Sequence, residues 1–196
     1  EVVSVLCDRR ADVEAQDQYG WTVLHKTAFS GNAEVVRVLI EKRETLEAKD
    51  ENGRTALYWA AWNGHHDIVK LLIDAGADMN AIDKDGRSAL YKAAWNGHAD
   101  VVDLLIKEGA NVKAVNKNGR TALDIAVEKG HADVVEMLRI EAAKQWIRDN
   151  MSGKITNEKA QNLLFEIAKG KKKPDDLKAV VKVLCDHGAD VKARDE

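Results

Sequence analysis

The sequence predicts an all-α solenoid of stacked helix–turn–helix units with short β-turn or hairpin tips. Glycines recur every 33 residues, a pair of short apolar helical stretches follows each recurrence, and turn-forming residues separate the pairs. The register is kept by Asp17, Asp50, Asp83 and Asn116, by Gly20, Gly53, Gly86 and Gly119, by Thr22, Thr55, Ser88 and Thr121, by Leu24, Leu57, Leu90 and Leu123, and by Gly31, Gly64, Gly97 and Gly130.

Each position of the repeat has a physical reason. Residues 50–53 place aspartate first and glycine fourth, which favours a type I turn, and Thr55 supplies a hydroxyl that can cap a helix. The following stretch, 56–61, is rich in alanine, so neighbouring helices can approach closely. Gly64 ends this helix because glycine accepts the left-handed conformation at low cost. A second helix then carries apolar residues at helical spacing over 68–73.

These motifs resemble the ankyrin repeat. Residues 22–25 (Thr-Val-Leu-His) stand close to the Thr-Pro-Leu-His of that family, and Gly64-His65 and residues 76–81 match two further signatures. The resemblance implies a solenoid that binds other macromolecules. The family proline is replaced by Val23, Ala56, Ala89 and Ala122, and the family histidine by Tyr58, Tyr91 and Asp124. We therefore expect three repeats to lose the hydrogen bonding of that histidine.

The periodicity also predicts where the chain departs from the repeat. Arg139 stands where earlier repeats have isoleucine, and a longer helix is predicted from Val134 to about Asn150. A helix over 158–169, a basic loop over 170–175 and a restored register over 176–196 follow. Because both ends fall inside the pattern, we expect a fragment of a longer array. The predicted units are 1–16 (second half of an upstream repeat), 17–49, 50–82, 83–115, 116–150 (a repeat with an extended second helix) and 151–196 (a divergent repeat).

Composition and spacing argue against several classes of function. The net charge of −3 disfavours a duplex-DNA binder, and no apolar run is long enough to span a membrane. Equivalent histidines at 65, 98 and 131 lie on successive helices about 8–10 Å apart, so they cannot share a metal ion. We read them as structural. The sequence predicts no catalytic residue, metal, cofactor or small-molecule substrate, and therefore no enzyme.

The cysteines and one lysine cluster bear on location. Cys7 and Cys185 are far apart in apolar helical patterns, which favours reduced core residues in an intracellular protein. Lys169 and the lysines at 171–173 could act as a weak nuclear-import signal, but the acidic residues that follow favour a solvated loop. The expected location is the cytoplasm, with the nucleus as the alternative.

Aromatic residues suggest where a partner binds. Trp62 and Trp95 share a register with Phe29, just before the glycine that ends the first helix. In ankyrin-like arrays the first helices and tips line the concave face, and tryptophan flanked by arginine is typical of binding hot spots. The predicted contacts with a protein or peptide partner are Trp21, Phe29, Arg54, Trp59, Trp62, Asn63, Arg87, Trp95, Asn96 and Arg120.

Other interpretations stay open at this point. The tryptophans could pack between repeats instead. Trp59, Trp62, Trp95 and Tyr91 could cage a methylated lysine, although the 33-residue spacing makes convergence of three rings difficult. The array could be the targeting arm of a larger catalytic protein, or it could stack single-stranded nucleic acid, which the net charge disfavours.

Overall fold

A computed structural model of the chain describes residue 12 and residues 14–42, 45–150, 156, 159–160, 162–163 and 177–186. It divides into two compact units, residues 1–135 and residues 136–196. Most of the predicted upstream repeat with Cys7, most of the predicted helix 158–169, the lysine loop and residues 187–196 lie outside the described residues.

The first unit consists of helix pairs that follow the predicted period. First helices pack against first helices of the neighbouring pairs, and second helices against second helices. The first helices are α1 (Val23–Ser30), α3 (Ala56–Trp62), α5 (Ala89–Asn96) and α7 (Ala122–Lys129), and the second helices that pack on one another are α2 (Ala33–Glu41), α4 (His66–Asp74) and α6 (Ala99–Lys107). Helix α8 (Ala132–Asn150) begins in this unit and continues into the second. This stacking confirms the predicted solenoid.

The tips and helix starts form as the register predicts. The amide of Gly53 donates to the carbonyl of Asp50 at 2.8 Å, which closes a β-turn. Successive tips are joined as well, since the amide of Lys84 donates to the carbonyl of Asn52 at 2.8 Å. Each first helix is capped by a hydroxyl that accepts a backbone N–H three residues later. The capping residues are Thr22, Thr55, Ser88 and Thr121.

The core lies between first and second helices. Alanines at equivalent positions, such as Ala61 and Ala94, are fully buried where first helices touch, and the second helices supply larger side chains such as Ile68, Leu72 and Leu105. Because the alanine side chains are small, neighbouring first helices can pack close together. Large residues of the first helices, such as Leu57 and Tyr58, are also buried in this core, whereas Trp62 and Trp95 are only half-buried.

Tyrosine compensates for the missing family histidine. His25 bonds Thr22 and the carbonyl of Arg54 through its two ring nitrogens. In the next repeat, the hydroxyl of Tyr58 donates to Oδ2 of Asp83 at 2.9 Å. This repeat therefore has a different hydrogen bond in place of those that His25 makes, because the longer phenol reaches the next tip. In the third repeat the hydroxyl of Tyr91 accepts from the Asn116 amide at 3.2 Å.

Replacing Tyr58 with phenylalanine should lower the free energy of unfolding at pH 7 by about 1.5 kcal/mol, since the acceptor is a charged carboxylate. Burial alone would raise the pKa of Asp83, but hydrogen bonds from Arg87 and Tyr58 lower it. Stability from that carboxylate is present above its unfolded pKa and is lost as pH falls through the lowered folded pKa. Urea unfolding at pH 7 and at acid pH should thus show a smaller deficit in acid. Tyr91→Phe, with a neutral amide partner, is the control and should cost less.

The second unit has its own small core. The predicted long helix is present as α8, which continues to Asn150, and α9 (Leu177–Asp186) forms where the register was predicted to resume. Ile147, Leu163, Val180 and Leu184 pack together there. Cys185 is half-buried and not in a disulfide. Along the described stretches, no helix is long and apolar enough to cross a membrane.

Candidate binding face

Three rows of residues, spaced by the repeat, define what we call the tip-and-helix face. The middle and end rows are three residues apart on each first helix and so lie side by side on one helix surface. The tip row lies just before the helix start. The tip row is Trp21, Arg54, Arg87 and Arg120, the middle row Lys26, Trp59, Lys92 and Ile125, and the end row Phe29, Trp62, Trp95 and Glu128.

Aromatic rings join the first two repeats on this face. The ring of Trp21 lies 5.5 Å from Phe29 and 4.7 Å from Trp59, centroid to centroid, and Phe29 lies 5.4 Å from Trp59. Trp62 stacks on Trp59 at 5.3 Å. Such offset and edge-on arrangements are the favoured geometries of aromatic pairs. The four rings therefore form one continuous apolar cluster.

Trp59 forms the floor of this cluster. It is only 6% exposed, whereas Phe29 is 43% exposed and Trp62 is half-buried. The indole N–H of Trp59 donates to Oδ2 of Asp50 at 3.2 Å, and the Arg54 guanidinium lies 4.2 Å from its ring centroid. The ring is thus fixed by a tip carboxylate below and covered by neighbouring side chains.

Lysines alternate with the indoles farther along the face. The ammonium of Lys92 lies 3.8 Å from the ring centroid of Trp62 and 4.5 Å from that of Trp95. The ammonium of Lys129 lies 4.3 Å from the Trp95 ring. All these distances are within the range of cation–π attraction. The face therefore changes from an aromatic cluster into an alternating row of indole rings and ammonium groups.

Lys92 is unusual because its charge is buried. The residue is 3% exposed, and burial, with the positive charge of Arg87 adding to it, lowers its pKa to about 8. Within the described part of the chain no carboxylate forms an ion pair with its ammonium, and Asp83 acts on it only at longer range. The two indole faces are therefore the close counterpart of this charge.

The arginines of the tip row are held by their own tips, except the last. Nε of Arg54 donates to Oδ2 of Asp50 at 2.8 Å, and Nε of Arg87 donates to Oδ2 of Asp83 at 2.8 Å. The fourth tip has Asn116 in place of the aspartate, and Arg120 pairs with Glu128 of the end row instead. The cations of the second and third tips are thus neutralised locally.

Histidines of each following repeat fix the backbone of the end-row aromatics. Nε2 of His65 donates to the Phe29 carbonyl at 3.0 Å. In the same way, Nε2 of His98 donates to the Trp62 carbonyl at 2.9 Å, and Nε2 of His131 donates to the Trp95 carbonyl at 3.0 Å. These bonds confirm the structural role predicted for the histidines. Within the described residues, no cluster of three or more side chains could hold a metal ion.

The two asparagines predicted as partner contacts also bind backbone. The Asn63 amide donates to the carbonyls of Phe29 at 3.3 Å and Trp59 at 3.2 Å, and the Asn96 amide to that of Trp62 at 2.7 Å. These contacts place both amides behind the aromatic row, where they hold its backbone. Asn63 and Asn96 directly follow Trp62 and Trp95 at the end of a first helix. That position was the sequence signal for a bond from the asparagine side chain to the backbone of the preceding repeat.

Comparison with known families agrees with the repeat architecture. A family model described as ankyrin repeats (3 copies) matches residues 1–83 and 75–149. The chain belongs to the ankyrin-repeat family. A search of the curated proteins finds no match to it. Ankyrin repeats are generally protein–protein interaction modules, and the family is typically non-catalytic.

In this ankyrin array, the sequence prediction named aromatic and arginine residues of the three rows but missed their lysines. The structure brings Trp21, Phe29, Trp59 and Trp62 together, while Trp95 is joined to them through Lys92. Lys92 lies three residues before Trp95. Lys129 occupies the position of Asn96 one repeat later. The spacing of Lys92 and Trp95 on one helix face was a usable signal.

Proposed function

We propose that the tip-and-helix face of this ankyrin array binds a protein or peptide partner. Phe29, Trp62 and Trp95 provide the apolar contacts, and Trp21 with the arginines of the tips forms the rim. Trp59 supports the cluster from beneath, and Asn63 and Asn96 hold the aromatic backbone in place. The rim arginines are Arg54, Arg87 and Arg120.

One observation carries the proposal. The end-row aromatics stay partly exposed, although histidines from the next repeat hold each of their backbone carbonyls. A hydrophobic surface that is rigid before binding loses little conformational entropy when a partner docks. Buried aromatic anchors with arginine nearby are also the residues that dominate binding energy at interfaces.

The alternatives are less favoured by the geometry. A methyl-lysine reader needs an open space between rings, but the ammonium of Lys92 already lies between Trp62 and Trp95. Stacking of single-stranded nucleic acid is disfavoured by the net charge of −3. A role as the targeting arm of a larger protein is compatible with partner binding. An intracellular location, cytoplasmic or nuclear, stays a prediction.

Selection of a displayed random 12-residue peptide library on the chain tests the proposal. Enriched peptides should bind Trp95→Leu at least about tenfold more weakly than the wild type, because loss of one anchor costs roughly 2 kcal/mol. Phe29→Ala should weaken binding as well. Affinity is measured by fluorescence anisotropy, and circular dichroism verifies that each variant is folded.

Arg37→Ala is the control, since Arg37 is an exposed residue on α2 rather than on a first helix. Its affinity should stay within about twofold of the wild type, as for surface substitutions away from an interface. Enriched peptides that bind all three folded variants equally would place the binding site elsewhere.

A further inference from the structure

Lys92 has a buried ammonium that forms no ion pair with a carboxylate of the described residues. Taking an ammonium out of water is costly unless an anion or hydrogen bonds compensate. Lys92 is 3% exposed, and its ammonium lies 3.8 Å from the Trp62 ring centroid and 4.5 Å from that of Trp95. In a site of low dielectric constant, such a charge attracts anions at the adjacent surface more strongly than an exposed lysine does.

The surface next to Lys92 gains further positive charge toward the fourth repeat. The ammonium of Lys129 also lies 4.3 Å from the Trp95 ring centroid, and Arg120 has Asn116 at its tip in place of the aspartate that pairs with Arg54 and Arg87. Glu128 pairs with both of these cations, and the Asp124 carboxylate accepts from the amide and hydroxyl of Thr121. The three positive charges of Lys92, Lys129 and Arg120 therefore exceed the two negative charges of Glu128 and Asp124 by one.

The opposite end of the face has a different character. Lys26 is paired with Asp17 at 2.9 Å, so this end has no unpaired middle-row cation. Phe29 is 43% exposed, and Tyr19 at the tip is 59% exposed. The face is thus aromatic and nearly neutral at the first described repeat and cationic at the fourth.

We propose that the partner is an extended segment that is apolar at one end and acidic at the other. Its apolar side chain contacts Phe29 and Trp62, and its carboxylates lie beside Trp95, next to Lys129 and Arg120. This inference rests on the proposed function and specifies its partner. Two steps of about 8–10 Å between neighbouring helices separate Phe29 from Trp95. At about 3.3 Å per residue, five or six residues of extended chain span that distance.

The same 12-residue library provides the test. Enriched peptides should contain an apolar residue and an acidic residue about five or six positions apart. Replacing their Asp and Glu by Asn and Gln should weaken binding at least about tenfold, since the amide removes the charge that pairs with the lysines. On the protein side, Lys129→Glu should weaken binding about tenfold at low salt and less at high salt.

Two further variants separate contact from long-range attraction. Lys92→Met keeps the side-chain length but removes the charge, and it should slow association about threefold at low salt through the lost field. Lys107→Glu is the control for Lys129→Glu, because it makes the same charge reversal on α6, where the Lys107 side chain is 69% exposed. Its affinity should change less than twofold.

The outcomes distinguish the two proposals. Enriched peptides that depend on Trp95 but lack acidic residues, or bind equally as amides, would overturn the acidic assignment and leave the proposed function in place. Binding only after phosphoserine replaces the acidic residues would overturn it in favour of a phosphorylated partner. Peptides that do not depend on Trp95 at all would remove the proposed function itself.

Discussion

Gly97→Ala should lower the free energy of unfolding by about 3 kcal/mol, a large share of the stability of a typical domain. Gly97 ends the first helix of the third repeat with a φ of 74°, in the left-handed region. An added Cβ would lie 2.5 Å from Nδ1 of His131 and 2.8 Å from its Cε1. Such distances are too short for any side-chain contact, so the ring or the backbone must move.

The imidazole cannot move without a further loss. Nε2 of His131 donates to the Trp95 carbonyl at 3.0 Å, and this bond fixes the backbone of an end-row aromatic. Displacing the ring leaves that carbonyl without its donor, which adds about 1–3 kcal/mol to the conformational cost. We therefore expect the substitution to destabilise the helix pair and to disturb the tip-and-helix face together.

Gly130→Ala is a matched control in the same register. Gly130 has a φ of 76°, almost the same as Gly97, but no atom outside its immediate neighbours lies within 4 Å of an added Cβ. Its alanine variant should therefore show only the left-handed penalty of about 1 kcal/mol. The two variants are compared by urea unfolding followed by far-ultraviolet circular dichroism. Equal losses for both would mean that the His131 contact contributes nothing to stability.

Local chemistry explains why much of the fold could be predicted from the sequence. A turn such as 50–53, a cap such as Thr55 and a terminator such as Gly97 act through their own backbone, within four residues. Their 33-residue repetition then places equivalent residues on neighbouring helices. Even the irregular helix α8 was predictable, because its apolar residues keep helical spacing after the repeat pattern ends.

The binding face was only partly predictable because its geometry depends on side-chain directions across repeats. The register places Trp59 beside Trp62 but does not indicate which indole turns inward to Asp50. The Asn63 amide could face a partner as well as the Phe29 carbonyl. The hydroxyl of Tyr58 reaches a carboxylate 25 residues away, which depends on how neighbouring repeats pack.

The buried charge of Lys92 should lower the stability of the folded chain. Lys92→Met should raise the free energy of unfolding at pH 7 by about 1 kcal/mol, because replacing a buried charge with an apolar side chain of similar volume is often stabilising. A pKa that falls from 10.5 to about 8 corresponds to roughly 3 kcal/mol against the charged form in the folded chain, from burial first and then from the positive charge of Arg87. Attraction to the two indoles opposes this cost.

The pH dependence should identify the cause. Below pH 8 both folded and unfolded chains carry the Lys92 proton, so the burial cost is fully present. Between pH 8 and 10.5 the folded chain releases the proton while the unfolded chain keeps it, and the wild type should gain stability relative to Lys92→Met. Above pH 10.5 the gain is complete. Urea unfolding of both proteins across this window measures the difference.

Lys129→Met tests whether any lysine beside Trp95 would behave in this way. Lys129 is exposed, so its removal should change the free energy of unfolding by no more than about 0.5 kcal/mol. If Lys92→Met is instead less stable than the wild type at pH 7, the indole–ammonium contacts outweigh the burial cost. A lysine that lowers stability while its charge faces no carboxylate is the expected signature of a group kept for binding rather than folding.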